Sequence, residues 1–139
     1  MFKVISETLV WWPVLFAGVT EEGEVVENKI EMRFRILDED AIDDFVRSTN
    51  LILSPPKSPD APDGGVEREV ERRIPSEQMQ RGLSPIVCDW RMVAAANGEL
   101  LPFNEGNFRA LLRVPNVFQA ILAAYAACRA GRAEIRAGN

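Results

Sequence analysis

The stretch KIEMRFRI, residues 29–36, alternates charged and apolar residues along its whole length. Successive side chains of a β-strand point to opposite faces, so this period of two predicts a strand with one buried face. The uncharged segment 9–19 precedes it and has the length of a partner strand. Gly23 lies in the connecting segment 20–24 and suits the positive φ of a tight turn. These features predict a long antiparallel β-hairpin over residues 8–37.

The register of this hairpin decides which residues share a face. A two-residue loop of Glu22 and Gly23 would set Leu9 opposite Ile36 and make one face apolar on both strands. On the other face an apolar row, here named the hairpin row, would lie against charged residues: Val10, Trp12, Val14 and Phe16 against Arg35, Arg33, Glu31 and Lys29. Trp12 beside Arg33 would form a cation–π contact. Pro13 lacks an N–H, which predicts an edge position for the first strand or a bulge there.

Two interpretations of the hairpin row stay open. In the first, helices pack on one face of the hairpin and the linker that follows covers the row. In the second, the row is a protein-binding or self-association surface, because a chain of 139 residues has few elements with which to cover both faces. The second interpretation predicts that Trp12→Ala and Phe16→Ser leave the fold intact and weaken association.

The rest of the chain is predicted to be mainly helical. Residues 38–50 predict a short helix that is N-capped by Asp38, with an apolar stripe of Ile42, Phe45 and Val46. Residues 54–65 contain four prolines and two glycines and predict a linker, and residues 66–74 predict a charged helix.

Three helices are predicted after this linker. The first covers residues 84–97, with Ser84 as N-cap and Trp90 on its apolar face, and the Asn97-Gly98 turn ends it. The second covers residues 105–113 after Asn104 as N-cap. The third carries the strongest amphipathic pattern, ends at Gly131 and contains these apolar residues: Val114, Val117, Phe118, Ile121, Leu122, Tyr125 and Cys128.

The predicted fold class is therefore α+β. An N-terminal long antiparallel β-hairpin is followed by a helix, a Pro-rich linker and a C-terminal helical bundle. Residues 1–50 form the hairpin and first helix, residues 51–82 the Pro/Gly-rich linker and charged helix, and residues 83–139 the C-terminal helical part. We expect the first and third parts to form one compact unit.

The composition excludes most catalytic chemistry. The chain has no histidine, which removes His-ligated zinc, His general bases and Ser-His or Cys-His nucleophiles. Its two cysteines lack metal-site spacing, and Cys88 is interpreted as a packed thiol. The acidic residues 38–44 lack the glycine and closing glutamate of an EF-hand loop, and no Gly-rich phosphate motif occurs. We predict no enzymatic activity, no cofactor and no metal.

Charge and hydropathy also limit the partners. The formal net charge is −5 at pH 7, which repels phosphate backbones and argues against nucleic acid as a partner. The apolar segment 9–19 is short for a membrane span of about 20 residues, and its Trp-Trp-Pro centre does not suit a signal peptide. The chain is therefore expected to be cytoplasmic, without a membrane partner.

Three groups of residues together resemble the small tail assembly chaperones of long-tailed bacteriophages. The first is Trp12-Pro13-Val14 followed by the strand Ile30 to Leu37 and an acidic helix. The second is Trp90, interpreted as helical, followed by Asn97-Gly98 and Leu101-Pro102-Phe103-Asn104. The third is the ending from Phe108 to Pro115 and from Ala120 to Tyr125. The resemblance covers both ends of the chain and leaves residues 51–82 unmatched.

The resemblance implies a non-enzymatic role in virion assembly. Such chaperones bind the aggregation-prone tape-measure protein in the host cytoplasm, help tail-tube subunits assemble around it and are absent from the mature virion. Many are made in two lengths by a ribosomal frameshift, and a chain of this length corresponds to the short form. The alternative is a small structural tail or neck component, or an oligomeric scaffold, that stays in the particle. The candidate partner-binding residues are Val10, Trp12, Val14, Phe16, Arg33, Trp90, Phe118 and Tyr125.

Overall fold

A computed structural model describes residues 7–53 and 74–131 of the chain. The described elements, in chain order, are β1 (Leu9–Val19), β2 (Val25–Arg35), α1 (Glu39–Leu53), α2 (Ser76–Leu83), β3 (Val87–Arg91), α3 (Glu105–Leu112) and α4 (Val117–Ala130). The three strands form one antiparallel sheet in the order β1-β2-β3. The α+β prediction, a hairpin followed by helices, is confirmed. The linker at 54–65 and, except for Ile74, the charged helix at 66–74 lie outside the described residues.

The hairpin is confirmed, but its predicted register is wrong by one residue. Leu9 lies opposite Arg35, not Ile36. The loop has three residues, because the N–H of Thr20 donates to the Glu24 carbonyl and the N–H of Gly23 donates to the Thr20 carbonyl, each at 2.9 Å. Gly23 has a φ of 83°, the left-handed conformation that a three-residue hairpin loop requires at this position. The glycine was identified correctly and the loop length was not.

The corrected register reverses the two faces of the hairpin. Trp12 pairs with Met32 and Val14 pairs with Ile30, so the hairpin row lies on the apolar inner face. Trp12 is 6% exposed and Val14 is fully buried, while the other two residues of the row are partly buried against the core. The interpretation of the row as an exposed binding surface is therefore wrong.

The outer face of the sheet carries the charged residues instead. Trp11 lies there opposite Arg33, and the predicted contact between Trp12 and Arg33 does not form. A different cation–π contact exists, with the Arg91 guanidinium 4.2 Å from the centre of the Trp11 ring. Arg91 of β3 pairs with Glu31 of β2, two residues from the partner of Trp11, so its side chain lies on the same outer face as the indole. The half-exposed indole is thus covered by an arginine from the opposite edge strand.

The edge position predicted from Pro13 is confirmed, since β1 has a strand on one side only within residues 7–53 and 74–131. Backbone bonds from Thr20 to Glu24 and from Ile36 to Thr8 show that even-numbered residues of β1 bond to β2. The odd-numbered residues therefore direct their backbone groups to the open edge. Pro13 is one of them, so its missing N–H interrupts no hydrogen bond of the sheet.

The helix predicted over residues 84–97 is wrong, because Val87–Arg91 is strand β3. A short apolar run suits a helix face and a buried strand equally, and here the β-branched Ile86 and Val87 bring the chain alongside β2. Ser84 does not begin a helix; it follows α2, and its hydroxyl donates to the Gln80 carbonyl. Helix α2 itself lies in the segment that was assigned to the linker and charged helix.

The other helix boundaries are close to those predicted. Asp38 accepts a hydrogen bond from the Ala41 N–H at 2.8 Å, and Asn104 accepts one from the Asn107 N–H at the same distance. Each satisfies a backbone donor that the first helical turn leaves unpaired. Gly131 ends α4 with a φ of 69°. Helix α1 continues three residues beyond the predicted end at Asn50, to Leu53.

One apolar core joins the inner face of the sheet to the helices. Tyr125 of α4 lies at its centre, with its ring edge-on to Phe34 at 5.3 Å and to Phe45 at 5.6 Å between ring centres. Helix α2 packs closely on α1 at Gly82, where a β-carbon would come within 2.6 Å of Ile52 Cδ1. The core thereby fixes α1 and α4 relative to each other and to β2.

Candidate functional site

The candidate functional site is an apolar groove between α1 and α4. The two helices meet where Arg129 contacts Glu39 at the start of α1 and where Tyr125 contacts Phe45 farther along. The groove has a volume of about 520 Å³ and opens to solvent. It is lined by Glu39, Ile42, Phe45, Val46, Thr49, Asn50, Leu53, Leu122, Tyr125, Ala126, Arg129 and Ala130. We name it the α1/α4 groove.

The floor of the α1/α4 groove is formed by core residues and its rim is apolar. Ile42, Phe45 and Tyr125 are buried core residues and form the floor. On the α1 rim, Val46 is 46% exposed and Leu53 is 38% exposed. Both side chains expose apolar surface to water, and a bound partner would cover that surface. Exposed apolar surface of this kind is typical of protein-binding sites.

Hydrogen bonds fix one end of the groove to the sheet. The Tyr125 hydroxyl donates to the Arg35 carbonyl and accepts from the Leu37 N–H, both at 2.9 Å. Arg129 donates to the Leu37 carbonyl at 3.1 Å and to a carboxylate oxygen of Glu39 at 3.3 Å. Burial raises the pKa of the Tyr125 phenol more than the hydrogen bond from Leu37 lowers it, so the hydroxyl stays protonated and keeps both roles.

The two sides of the groove differ in charge. The exposed surface of α1 carries four carboxylates and one guanidinium: Glu39, Asp40, Asp43, Asp44 and Arg47. The first two suit the positive end of the helix dipole. The opposite side of the groove is uncharged apart from Arg129, and Leu122, Ala126 and Ala130 line it. The groove is therefore apolar, with one carboxylate, that of Glu39, in its lining, and the other charged residues of α1 lie on the helix surface outside it.

The structure does not bring the eight predicted partner-binding residues together. Tyr125 is the one that lines the α1/α4 groove. Phe118 is buried in the core, and Arg33 lies on the outer face of the sheet. The four residues of the hairpin row lie on the inner face, as described above.

Trp90 is a structural residue in this fold. It is 5% exposed, its indole N–H donates to the Leu101 carbonyl at 2.9 Å, and its ring packs edge-on against Phe103 and Phe108. One of the three residue groups that carry the resemblance described above includes Trp90 as a helical residue. That assignment is wrong, because Trp90 lies in strand β3.

Sequence reasoning missed the α1 side of the groove. The sequence predicts an apolar stripe of Ile42, Phe45 and Val46 on this helix, but no partner-binding residue was predicted from it, and Val46 is exposed. The exposed Leu51 and Leu53 at the end of α1 were left outside the predicted helix. Continuation of the stripe through Thr49 and Leu53 was a signal that an apolar face remained available for a partner.

The described residues contain no cluster of metal ligands. Within residues 7–53 and 74–131, no three His, Cys, Asp or Glu side chains lie together as metal ligands would. Cys88 and Cys128 are both unbridged thiols, and burial raises the pKa of Cys128, which opposes formation of a reactive thiolate.

Among the described residues, no single helix is long and apolar enough to cross a membrane. Helices α3 and α4 meet both criteria only when they are taken together, and the chain bends by 102° between them. Comparisons of the chain with protein-family models, with curated proteins and with solved structures return no match.

Proposed function

We propose that this protein is a non-enzymatic tail assembly chaperone of a long-tailed bacteriophage. In this proposal it binds apolar helical segments of the tape-measure protein in the host cytoplasm, promotes assembly of tail-tube subunits around that protein, and is left out of the virion. The observation that supports binding most is the α1/α4 groove, with its apolar rim residues Val46 and Leu53 exposed to water. The family itself rests on the sequence resemblance.

The shape of the groove suits a helix as the bound element. Helices present ridges and grooves of side chains into which another helix packs, with its axis about 8–10 Å away. A helix in such a groove would use apolar residues spaced three and four apart. The small side chains of Ala126 and Ala130 permit a close approach on the α4 side. An apolar helical segment of the tape-measure protein has this pattern.

The energetics suit a temporary complex. Full burial of a Val or Leu side chain is worth about 1.5–3 kcal/mol, and Val46 and Leu53 are already partly covered in the free protein. Losses of translational, rotational and side-chain freedom oppose this gain. Each groove therefore holds its segment weakly, which allows tail-tube subunits to displace the chaperone. The acidic exposed surface of α1 keeps the free chaperone soluble despite its exposed apolar residues.

Co-expression with the tape-measure protein of the same phage tests this proposal. We expect the wild-type chain to keep that protein soluble and to co-purify with it. Val46→Asp should abolish both effects, because it places a charge in the apolar groove. The matched control is Leu100→Asp, a residue that is 77% exposed and does not line the groove.

Two outcomes would contradict the proposal. If the tape-measure protein stays insoluble with the wild-type chain, the chaperone role is wrong. If Leu100→Asp is as harmful as Val46→Asp, the effect is not specific to the groove. Proteomics of purified particles separates the structural alternative, because a tail or neck component would be present in the virion and a chaperone absent.

A further inference from the structure

The two neighbours of β2 differ in length. β1 pairs with all eleven residues of β2, whereas β3 pairs with it only from Glu31 to Phe34. Residues 25–29 therefore have a strand on one side and, among the described residues, none on the other. Because even-numbered residues of β2 bond to β1, the backbone groups of Val25, Glu27 and Lys29 point to this open side. We name these five residues the β2 step.

A strained turn keeps the chain's own β3 away from the β2 step. Met92 follows directly after β3 and has a φ of 69°, a conformation that is sparsely populated for residues other than glycine. Val93 is then buried in the core and its carbonyl accepts from the Leu101 N–H, and the pairing of β3 with β2 ends at Arg91. The position next to the step, in line with β3, would admit a strand of about five residues, or about 17 Å.

The other edge of the sheet is a poorer site for an added strand. In the part of the chain that the structure describes, β1 also has an open side, but the nitrogen of Pro13 faces it near the middle of the strand, so a partner there finds no donor at that position. The β2 step contains no proline and offers N–H and C=O groups at every second residue. An incoming strand can therefore form a regular ladder on β2 and an interrupted one on β1.

The charge around the β2 step favours a basic partner. Segment 21–29 carries four carboxylates, on Glu21, Glu22, Glu24 and Glu27, against the single ammonium of Lys29, and all of its residues are exposed. Glu27 projects from the outer face, and Val26, which is 38% exposed, projects from the inner face. A strand paired here would meet a carboxylate on one face and an apolar side chain on the other.

We propose that the β2 step binds an extended segment of a partner protein in which basic and apolar residues alternate. The segment adds a fourth strand in line with β3, with a lysine or arginine beside Glu27 and an apolar residue near Val26. This surface lies on the hairpin and shares no residue with the α1/α4 groove. Its existence is therefore independent of the proposed chaperone function.

Amide hydrogen exchange of the full chain tests the proposal, with the synthetic peptide acetyl-KVKVKV-amide as the probe. We expect saturating peptide to slow the exchange of the Val25, Glu27 and Lys29 amides about tenfold, as a formed ladder does. Exchange at Leu15 and Ala17, which face the open edge of β1, should not change. No protection at the step, or protection at those β1 amides instead, would overturn the proposal.

Two substitutions with the same charge change separate ladder formation from general attraction. Glu27→Lys should weaken binding of the basic peptide at least about tenfold and allow binding of acetyl-EVEVEV-amide. The control is Glu21→Lys in the hairpin loop, which should weaken binding much less. Equal losses in the two variants would overturn the proposal, because they would mean that only net charge attracts the peptide.

Glu27→Pro tests the backbone contribution when it is compared with Glu27→Thr, because both variants lose the carboxylate and only the proline loses the N–H. Glu27→Pro removes an N–H from the open side and leaves the bonds between β2 and β1 intact, because residue 27 is odd-numbered. We expect the Glu27→Pro variant to fold and to lose peptide protection of the remaining step amides. Peptide binding by a folded Glu27→Pro variant equal to that of Glu27→Thr would contradict a strand-addition mode. If the Glu27→Pro variant does not fold, the two charge variants still decide the matter.

Discussion

The hairpin has two parts that share one register and differ in their surroundings. Its base, residues 9–16 and 28–35, packs between α4 on the inner face and β3 at one edge, and Phe34 and Met32 there are fully buried. Its tip, residues 17–27, extends beyond β3, and Val19 and Val25 are 71% and 76% exposed. Strict alternation of charged and apolar residues occurs on β2 in the base and stops in the tip. Burial restricts which residues the base can carry, whereas the exposed residues of the tip are not restricted in this way and can take part in binding.

The largest expected effect is in the base. Trp12→Ala removes a buried indole and should lower the free energy of unfolding by about 3–5 kcal/mol. Chemical denaturation monitored by circular dichroism measures this, with Val19→Ala on the tip of the same strand as the control. A Trp12→Ala variant as stable as the wild type would restore the interpretation of the hairpin row as an exposed surface.

The next effect tests the attachment of the base to α4. Tyr125→Phe keeps the ring and removes the hydroxyl that bonds to Arg35 and Leu37. It should lower the free energy of unfolding by about 1–3 kcal/mol, because a part-buried N–H and a carbonyl lose their partner. The same denaturation experiment checks the value, and no loss of stability would mean that water replaces the hydroxyl at both groups.

A smaller effect is expected at the loop that sets the register of both parts. The β-carbon that Gly23→Ala adds would have no other atom within 4 Å. The loss of unfolding free energy therefore comes from the φ of 83° alone and should be about 1–2 kcal/mol. Gly98 has a φ of 87° in a second loop of the same kind, between Ala95 and Glu99, and Gly98→Ala should cost a similar amount. If chemical denaturation gives strongly unequal losses of unfolding free energy for the two variants, the two loops differ in backbone strain.

The smallest effect is expected on the tip. Val25→Thr changes an exposed residue with a good strand propensity to another, so stability should change by less than about 0.5 kcal/mol. Thermal unfolding of the isolated chain measures this. A loss of more than about 1 kcal/mol would indicate that Val25 is packed in the free protein, and the contrast between base and tip would fail.

The local features of this fold were predictable from sequence, and the features that depend on distant contacts were not. The caps Asp38, Asn104 and Gly131 were identified because capping depends on residues within one helical turn. The hairpin register failed because a loop containing Gly23 can have two or three residues. β3 was taken for a helix because its strand character comes from pairing with β2, about 55 residues earlier in the chain.

The candidate site was the least predictable part. Tyr125 was named from its position on an amphipathic helix, but a groove exists only where α1 and α4 lie side by side. Their pairing is set by the packing of Tyr125 against Phe45 and by the bond from Arg129 to Glu39. Neither contact is visible in a local pattern of residues.

Site-specific photo-crosslinking tests the central claim most directly. A photoreactive amino acid at position 46 would report what occupies the α1/α4 groove during co-expression with the tape-measure protein, and the same amino acid at position 100 serves as the control. We predict a crosslink to the tape-measure protein from position 46 and none from position 100. A crosslinked product from position 100 alone, or from neither position while that protein is present and soluble, would contradict the groove as the chaperone's binding site.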